Sequence, residues 1–373
     1  MSLLTKEIVL EALGNIMDPD QGKSVVELDM VKGLVVKDGK VAFALEVDAA
    51  RGQQMEPVRK ACEAAVKALP DCSSVTAVLT AHSNSADAPQ GGNGQAAPQA
   101  PAAVSGVDVF APGVKQIIAV ASGKGGVGKS TLAVNLAYAL HAQGKRVGIL
   151  DADIYGPSLP RMLGSDKLPE VTGSKMNPVA VNGIVAMSIG YLVEEDTAMI
   201  WRGPMVMSAL EQMLRDVNWG ELDILVVDMP PGTGDAQLTM AQRVQLAGAV
   251  VVSTPQDIAL IDARKGLNMF QKVDVPVLGF VENMSYYICP SCGERAEIFG
   301  HGGAETEAKN LGINFLGGVP LDIRIRETSD SGNPITVSDP ESPLAQAYMD
   351  IASKVIQGLE SGDRKAAPKI SMS

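Results

Sequence analysis

One glycine- and lysine-rich stretch, residues 123–130, constrains this chain more than any other. Its letters, GKGGVGKS, match the phosphate-binding loop pattern G-x-x-x-x-G-K-[ST] at every fixed position. An apolar run at 116–120 precedes it and suits a buried parallel strand, and residues 131–140 after it have a helical composition. Residues 146–150 then read as the next strand. The sequence therefore predicts a β-α-β unit that binds a nucleotide.

The residue types in this loop explain the chemistry. Glycines allow successive backbone N–H groups to point at phosphate oxygens, and the start of the following helix adds its dipole. We expect Lys129 to reach the β- and γ-phosphates and Ser130 to ligate Mg²⁺. Lys124 adds a second positive charge where charge develops in the transition state. The other residues assigned to the nucleotide here are Gly123, Gly125, Gly126, Val127, Gly128 and Thr131.

Carboxylates follow two of the predicted strands. Asp228 ends the apolar run 222–227 and suits a Walker B aspartate that holds Mg²⁺ directly or through water. Asp151 and Asp153 follow the strand after the loop helix, where ligands of such folds bind. One of them is expected to orient the attacking water and the other to assist with Mg²⁺. Gly232, in the segment after Asp228, can touch phosphate and relax after hydrolysis.

Composition narrows the class of protein. A formal net charge of −12 argues against a generic nucleic-acid-binding surface. No apolar run approaches the length that spans a bilayer. The N-terminus lacks the basic start, apolar core and cleavage site of a secretory signal. We therefore expect a cytoplasmic protein without nucleic-acid or membrane partners.

The chain divides into two regions of different character. Residues 83–106 consist mainly of Ala, Pro, Gln, Gly, Asn and Ser, which bury too little apolar surface to offset the entropy of ordering. We interpret them as a flexible linker between a domain at 1–82 and a domain at 107–373. The first is predicted to be a small α+β domain, with helices over 4–13 and 56–69 and strands over 32–36, 40–47 and 74–80.

The second region alternates strands with helices. This alternation predicts an α/β fold of the P-loop NTPase type, with a mostly parallel sheet covered by helices on both faces. Besides the loop unit, the predicted strands are 223–227, 248–253, 277–281 and 315–319, and the predicted helices are 204–215, 258–271 and 344–359.

Cys289 and Cys292 form a C-x-x-C pair in a context of loop and strand. Zinc or a [4Fe–4S] cluster requires four ligands, and the region offers no other cysteine. Two thiolates from each of two chains satisfy that number, which predicts a metal-bridged homodimer. An intrachain zinc site with His301 and an incidental thiol pair are the alternatives. Cys62 is expected to be a buried small hydrophobe and Cys72 an exposed thiol.

These residues together resemble the Mrp/ApbC family of iron–sulfur cluster carrier ATPases, within the deviant Walker A group that includes MinD and ParA. The resemblance covers nearly the whole chain. It rests on GKGGVGKST at 123–131, LDADIYGPS at 150–158, VVDMPPGTGD at 226–235, VENMS at 281–285 and CPSCG at 289–293.

The resemblance implies a function and roles for particular residues. Lys124 would contact nucleotide across a dimer interface, Asp153 would act near the attacking water, and Asn283 would recognise adenine. Cys289 and Cys292 would bind a labile [4Fe–4S] cluster that is shared between subunits. Slow ATP hydrolysis would accompany transfer of this cluster to apo-proteins.

The first region is similar to the MIP18-like domain of many bacterial members, on Asp18-Pro19-Asp20 and on residues 25–31. Many such domains carry a reactive cysteine shortly before the second helix, where this chain has residues 48–52, DAARG. A thiol-mediated role for this domain is therefore not expected.

Other classes of function stay open from the residues alone. A MinD/ParA-like ATPase switch is one, although the C-terminus lacks the apolar face that membrane attachment requires. A kinase for a small substrate would leave the cysteine pair without a use. A carrier of zinc or nickel is the last alternative, because thiolates alone do not select the metal.

Overall fold

The computed structural model describes residues 4–37, 39–48, 51, 54–82, 110–173, 175–193 and 203–361. The predicted linker at 83–106 lies outside these residues. The chain forms two compact units. The first contains Met1–Pro112, Leu168–Asn177 and Leu192–Asn218, and the second contains Gly113–Lys167, Pro178–Tyr191 and Trp219–Ser373.

The helices and strands are numbered here in chain order. The helices are α1 (Lys6–Leu13), α2 (Glu56–Lys67), α3 (Lys129–Ala142), α4 (Leu159–Met162), α5 (Gly203–Arg215), α6 (Asp235–Arg243), α7 (Asp257–Lys272), α8 (Gly303–Leu311), α9 (Ile323–Asp330), α10 (Ile335–Ser338) and α11 (Pro343–Ser361). The strands are β1 (Val31–Lys37), β2 (Lys40–Asp48), β3 (Ser74–His82), β4 (Val114–Ser122), β5 (Val147–Asp151), β6 (Glu170–Thr172), β7 (Lys175–Asn177), β8 (Val179–Val181), β9 (Ile184–Met187), β10 (Leu222–Asp228), β11 (Gly248–Ser253), β12 (Val277–Glu282), β13 (Tyr287–Ile288), β14 (Arg295–Ala296) and β15 (Phe315–Gly318).

A three-stranded sheet, in the order β1-β2-β3, lies in the first unit. β1 pairs with β2 antiparallel, and β2 pairs with β3 parallel through the crossover helix α2. The apolar residues of α2 recur every four positions, so Val58, Cys62 and Val66 point into the core of this unit. Cys62 is fully buried, as expected, whereas Cys72 is half-buried rather than exposed.

The second unit contains an eight-stranded sheet, in the order β15-β12-β11-β4-β10-β5-β9-β8. All neighbouring strands pair in parallel except β8, which is antiparallel to β9. The chain moves from β4 toward β5 in one direction along the sheet and from β11 toward β12 in the other. Right-handed crossovers therefore place α3 and α7 on opposite faces, and the predicted α/β fold is confirmed.

One hydrophobic core of this unit lies between the sheet and α3, α10 and α11. Every residue from Leu132 to Leu140 in α3 is buried. This burial follows from its sequence, which is apolar around the whole helix rather than along one stripe. Within the described part of the chain, no helix is long and apolar enough to cross a membrane.

Candidate functional site

The phosphate-binding loop connects β4 to α3 at the centre of the sheet. β4 connects through α3 toward β5 on one side, whereas its neighbour β11 connects through α7 toward β12 on the other side. This reversal makes the end of β4 a topological switch point, where ligands bind in such folds. Gly126 and Gly128 have φ angles of +80° and +81°, a region that favours glycine. A Cβ atom at Gly123 would overlap the backbone carbonyl of Asp262 in α7. The glycines are therefore required by the geometry of the loop.

Lys129 begins α3 and lies in a buried cluster of charges. Its Nζ donates to Asp228 Oδ1 at 2.5 Å and lies 4.0 Å from Asp153 Oδ2. The hydroxyl of Ser130 is 3.2 Å from the same nitrogen. The side chains of Lys129 and Asp228 are 6% and 0% exposed, so this pair is shielded from water. The structure thus brings four of the predicted site residues together.

Asp228 offers an oxygen that fits a metal ion. Its Oδ2 is buried and, within the described residues, accepts no hydrogen bond. An unsatisfied buried carboxylate oxygen is costly unless a cation or donor occupies it. Together with the Ser130 hydroxyl, it supplies the hard oxygen donors that Mg²⁺ prefers. The residues present therefore fit the predicted magnesium site.

Both carboxylate oxygens of Asp151 accept hydrogen bonds from nearby residues. Its Oδ1 accepts from the Asp153 N–H, and its Oδ2 accepts from the N–H groups of Ser158 and Leu159 and from the Ser188 hydroxyl. Burial first, and then the nearby charge of Asp228, raise the pKa of Asp151 from 3.8 to about 7. These contacts fix the start of the loop that carries Asp153, which favours a positioning role.

Asp153 is the carboxylate that remains accessible. Its side chain is 17% exposed, and burial raises its pKa above 3.8 while Lys129 opposes that shift. Its Oδ2 points toward Lys129 rather than into the backbone donors that hold Asp151. It is thus the better placed of the two for contact with a bound molecule.

The segment after Asp228 is attached to the loop. The N–H of Gly232 donates to the carbonyl of Ser122, the last residue of β4, at 2.9 Å. Gln237 of α6 is buried, and its Nε2 donates to the carbonyls of Pro230 and Pro231 at 3.0 and 2.6 Å. Sequence reasoning missed Gln237, whose only signal was its proximity to Gly232.

Asn283, directly after β12, contacts the phosphate-binding loop. Its Nδ2 donates to the carbonyl of Val127 at 2.8 Å, and its N–H donates to Ser253. A Cβ at Gly128 would overlap this amide. Asn283 therefore helps to shape the loop.

Lys124 and Thr131 complete the predicted set. Lys124 is half-buried, and its carbonyl accepts from the Ser122 hydroxyl at 2.9 Å. Among the described residues its amine forms no ion pair. Thr131 lies in the first turn of α3, and its carbonyl accepts from Asn135 Nδ2.

Cys289 and Cys292 lie at the tip of a small hairpin, β13 to β14. The N–H of Cys289 donates to the Glu294 carbonyl, and the N–H of Gly293 donates to the Cys289 carbonyl, which closes the turn. Cys292 is exposed and Cys289 half-buried. Hydrogen bonds from the backbone of Ser291, and then of Cys292, lower the pKa of the Cys289 thiol, which favours the thiolate that binds metals.

One chain does not complete a metal site around this pair. Within the described residues, no group of three or more His, Cys, Asp and Glu side chains is placed to hold a metal ion. His301 instead lies 3.4 Å from Glu297. The intrachain zinc site with His301 is therefore not formed.

A family model described as the NUBPL iron-transfer P-loop NTPase matches residues 113–356, which include the loop, the carboxylates and the cysteine hairpin. The chain belongs to the family of NUBPL iron-transfer P-loop NTPases. A second model, described as an iron–sulfur cluster assembly protein, matches residues 6–79 and confirms the resemblance noted for the first region.

The chain is also similar to two iron–sulfur cluster proteins from other organisms. It is 46% identical, over 95% of its length and 97% of the relative, to an iron–sulfur cluster carrier protein of Synechocystis. It is 55% identical, over 72% of its length and 83% of the relative, to the iron–sulfur cluster transfer protein NUBPL of Dictyostelium discoideum.

One solved structure is similar to the second unit. A nucleotide-binding protein of Archaeoglobus fulgidus, in complex with ADP, is 41% identical to this chain. The similarity has a TM-score of 0.56 and covers 63% of this chain and 92% of that one. It agrees with the P-loop fold of the second unit.

Proposed function

We propose that this protein is an ATP-binding and ATP-hydrolysing iron–sulfur cluster carrier. It holds a labile [4Fe–4S] cluster at a dimer interface and transfers it to apo-proteins. The observation that carries this proposal is the accessible Cys289–Cys292 pair at the tip of a hairpin, in the same unit as a complete phosphate-binding loop. The names of the relatives in Synechocystis and Dictyostelium support it.

In this proposal, the loop binds the phosphates of ATP through backbone N–H groups and the start of α3. Lys129 exchanges its contact with Asp228 for the β- and γ-phosphates. Asp153 orients the attacking water, and Asp151 holds Asp153 in place through the hydrogen bond between them. Lys124 approaches the nucleotide of the second chain, where its charge stabilises the transition state.

Ser130 and Asp228 are the residues that would hold Mg²⁺, which neutralises charge on the phosphates when it is bound. The Ser130 hydroxyl and the free Asp228 Oδ2 are the oxygens available for it. Gly232 responds to the γ-phosphate, since its N–H already reaches the base of the loop. Asn283 places the adenine side of the nucleotide.

The cargo site follows from the number of thiols. A [4Fe–4S] cluster requires four cysteine ligands, and each chain offers two at the hairpin. A two-fold axis beside Cys289 and Cys292 supplies the other two. The exposure of the pair is consistent with a cluster that can be passed to apo iron–sulfur proteins.

Anaerobic reconstitution with iron and sulfide tests this proposal. Wild type is compared with Cys289→Ala and Cys292→Ala, and Cys72→Ser serves as a thiol-loss control outside the hairpin. We expect the visible absorption and Mössbauer spectrum of a [4Fe–4S] cluster, at roughly one cluster per two chains, in wild type and Cys72→Ser alone. A colourless wild type that still hydrolyses ATP would refute the carrier function.

A further inference from the structure

Glu282, the last residue of β12, carries a buried carboxylate to which the proposed chemistry gives no task. Only 1% of the residue is exposed. Among the described residues no lysine, arginine or histidine forms an ion pair with it. A carboxylate buried without a cation requires strong neutral donors, because its desolvation costs several kcal/mol.

Its two oxygens hold the two ends of the cysteine-bearing segment. Oε1 accepts from the Ser285 hydroxyl at 2.6 Å, and Oε2 accepts from the Ala304 N–H at 2.7 Å. Ser285 directly precedes residues 286–302, which contain the hairpin, and Ala304 lies in the first turn of α8, which directly follows them. The free N–H groups and dipole of a helix start favour a negative charge.

Neighbouring residues pack closely around both ends of the cysteine-bearing segment. A Cβ added at Gly318 would lie 2.8 Å from the Ser285 hydroxyl oxygen. One added at Gly303 would lie 2.7 Å from both Leu260 Cδ1 and the Pro255 carbonyl oxygen. The ends of the segment are therefore packed closely, and their separation depends on the carboxylate between them.

The residue after Glu282 is Asn283, whose amide donates to the Val127 carbonyl in the phosphate-binding loop. Two adjacent side chains thus contact the two functional elements. Asn283 reaches the loop, and Glu282 reaches both ends of the hairpin segment. Energetic coupling between sites is carried by such contiguous contacts when they have more than one arrangement.

We propose that Glu282 is a positioning residue that couples the nucleotide site to the cysteine hairpin. A shift of the loop on nucleotide binding moves Asn283, and with it the end of β12 and the carboxylate that sets the separation of Ser285 and Ala304. The accessibility of Cys289 and Cys292 then depends on the nucleotide. The inference rests on the proposed function only in taking the hairpin as the cargo site.

The test measures alkylation of Cys289 and Cys292 by iodoacetamide in the full chain, with and without Mg-ADP or Mg-ATP, by peptide mass spectrometry. In wild type we expect nucleotide to change the rate by about fivefold or more, the lower end of typical coupling. In Glu282→Ala the ratio of the alkylation rates with and without nucleotide falls to about one, although nucleotide still binds. In Glu282→Gln the ratio is retained, because the amide oxygen accepts from Ala304 and the amide nitrogen donates to Ser285.

Glu307→Ala is the matched control. It removes another buried carboxylate, on the helix that carries Ala304, α8. This carboxylate pairs with Arg264 at 2.6 and 2.9 Å, and among the described residues it forms no hydrogen bond with Ser285 or Ala304. We expect it to lower the melting temperature and to keep the nucleotide dependence. Ser285→Ala, which removes one of the two contacts, replaces Glu282→Ala if that variant does not fold, and it should reduce the ratio.

A wild type without nucleotide-dependent alkylation would overturn the inference, and so would a Glu282→Ala variant that keeps the full ratio. Loss of the ratio in Glu282→Gln and Glu307→Ala alike would show a general effect of destabilisation and would also overturn it. Because alkylation requires no cluster, the outcome is separate from that of the reconstitution. A colourless protein with coupled thiols refutes the carrier function alone.

Discussion

At the scale of single residues, Lys129 and Asp228 form the ion pair on which the phosphate site depends. Replacing Lys129 by Ala removes its contacts to phosphate and leaves Asp228 as an unpaired buried charge. We expect nucleotide affinity to fall by about tenfold to a hundredfold, the equivalent of one or two charge-assisted hydrogen bonds. The free energy of unfolding without nucleotide should fall by about 3 kcal/mol. Calorimetric titration and chemical denaturation measure the two effects.

Lys115→Ala provides the comparison for that prediction. Lys115 also pairs with an aspartate, Asp223, at 2.7 Å, but its side chain is 62% exposed and lies near the start of β4, at the other end of this strand from the phosphate-binding loop. Exposed pairs contribute little, so this variant should retain both affinity and stability. Equal effects of the two lysine variants would contradict the role given to Lys129.

The cysteines should differ sharply in reactivity. Burial raises the pKa of the Cys62 thiol from 9.0 to about 12, so very little thiolate exists at pH 8. The pKa of Cys289 is instead lowered by backbone donors. We expect iodoacetamide at pH 8 to modify Cys289 and to leave Cys62 untouched in the folded protein, and to modify both in guanidinium chloride. Rapid labelling of Cys62 in the folded state would contradict its placement in the core.

At the scale of structural elements, two glycines of the phosphate-binding loop separate backbone strain from steric overlap. Gly126 and Gly128 have nearly equal φ angles, but a Cβ at Gly126 meets nothing within 4 Å, whereas one at Gly128 overlaps the Asn283 amide. Gly126→Ala should lower the free energy of unfolding by about 1 kcal/mol, because alanine is strained in the left-handed conformation. Gly128→Ala should lower the free energy of unfolding by at least about 1 kcal/mol more than Gly126→Ala does, because the Asn283 side chain must also move. Thermal unfolding without nucleotide compares them, and equal costs would exclude the contact with Asn283.

The elements that sequence could predict are those with strong local signals. The strands beside the loop are continuous apolar runs, and a run of this kind has few alternatives to a buried parallel strand. β8 and β9 were not predicted, because they are three and four residues long and their pairing follows from the fold of the unit. β13 and β14 have two residues each, and their turn is defined by contacts of Cys289.

Some residues of the candidate site could be predicted from the sequence, and others could not. Lys129, Ser130 and Asp228 follow from motif spacing and strand ends, and the fold brings them together. The contacts of Ser188 with Asp151 and of Glu282 with Ala304 were not predicted, because the partners are distant in sequence and leave no pattern. Gln237 contacts the nearby Pro230 and Pro231, but a single glutamine at that spacing is not a motif. Asp151 was predicted beside the nucleotide together with Asp153, and the four donors that its carboxylate accepts from are visible only in three dimensions.

At the scale of the whole molecule, each compact unit contains ionic groups buried in its own interior. In the first unit, Arg51 donates to the fully buried Asp18 at 2.6 Å and also lies 2.6 Å from Asp20. Asp18 Oδ1 further accepts from the N–H groups of Asp20 and Gln21. The guanidinium is therefore the one charge that compensates Asp18 among the residues described in this unit. Removing one partner of such a pair lowers the free energy of unfolding by more than the intact pair contributes to it, because the other charge stays buried without a partner.

Arg51→Ala should accordingly lower the free energy of unfolding of the first unit by about 2 kcal/mol at pH 7. The hydrogen bond from Arg51 is the main cause that holds the pKa of Asp18 below 3.8. A lowered carboxyl pKa stabilises the fold above the unfolded value, and that contribution is lost as the pH falls through the folded value. The difference in free energy of unfolding between wild type and Arg51→Ala should therefore shrink as the pH is lowered below about 4.

Asp20→Asn is the control, because it removes an exposed carboxylate from the same guanidinium. It should change the free energy of unfolding by less than about 0.5 kcal/mol. Denaturation of the three proteins from pH 3 to pH 7 measures these differences, and a cost of Arg51→Ala that is independent of pH would show that packing, not charge, is what Arg51 supplies.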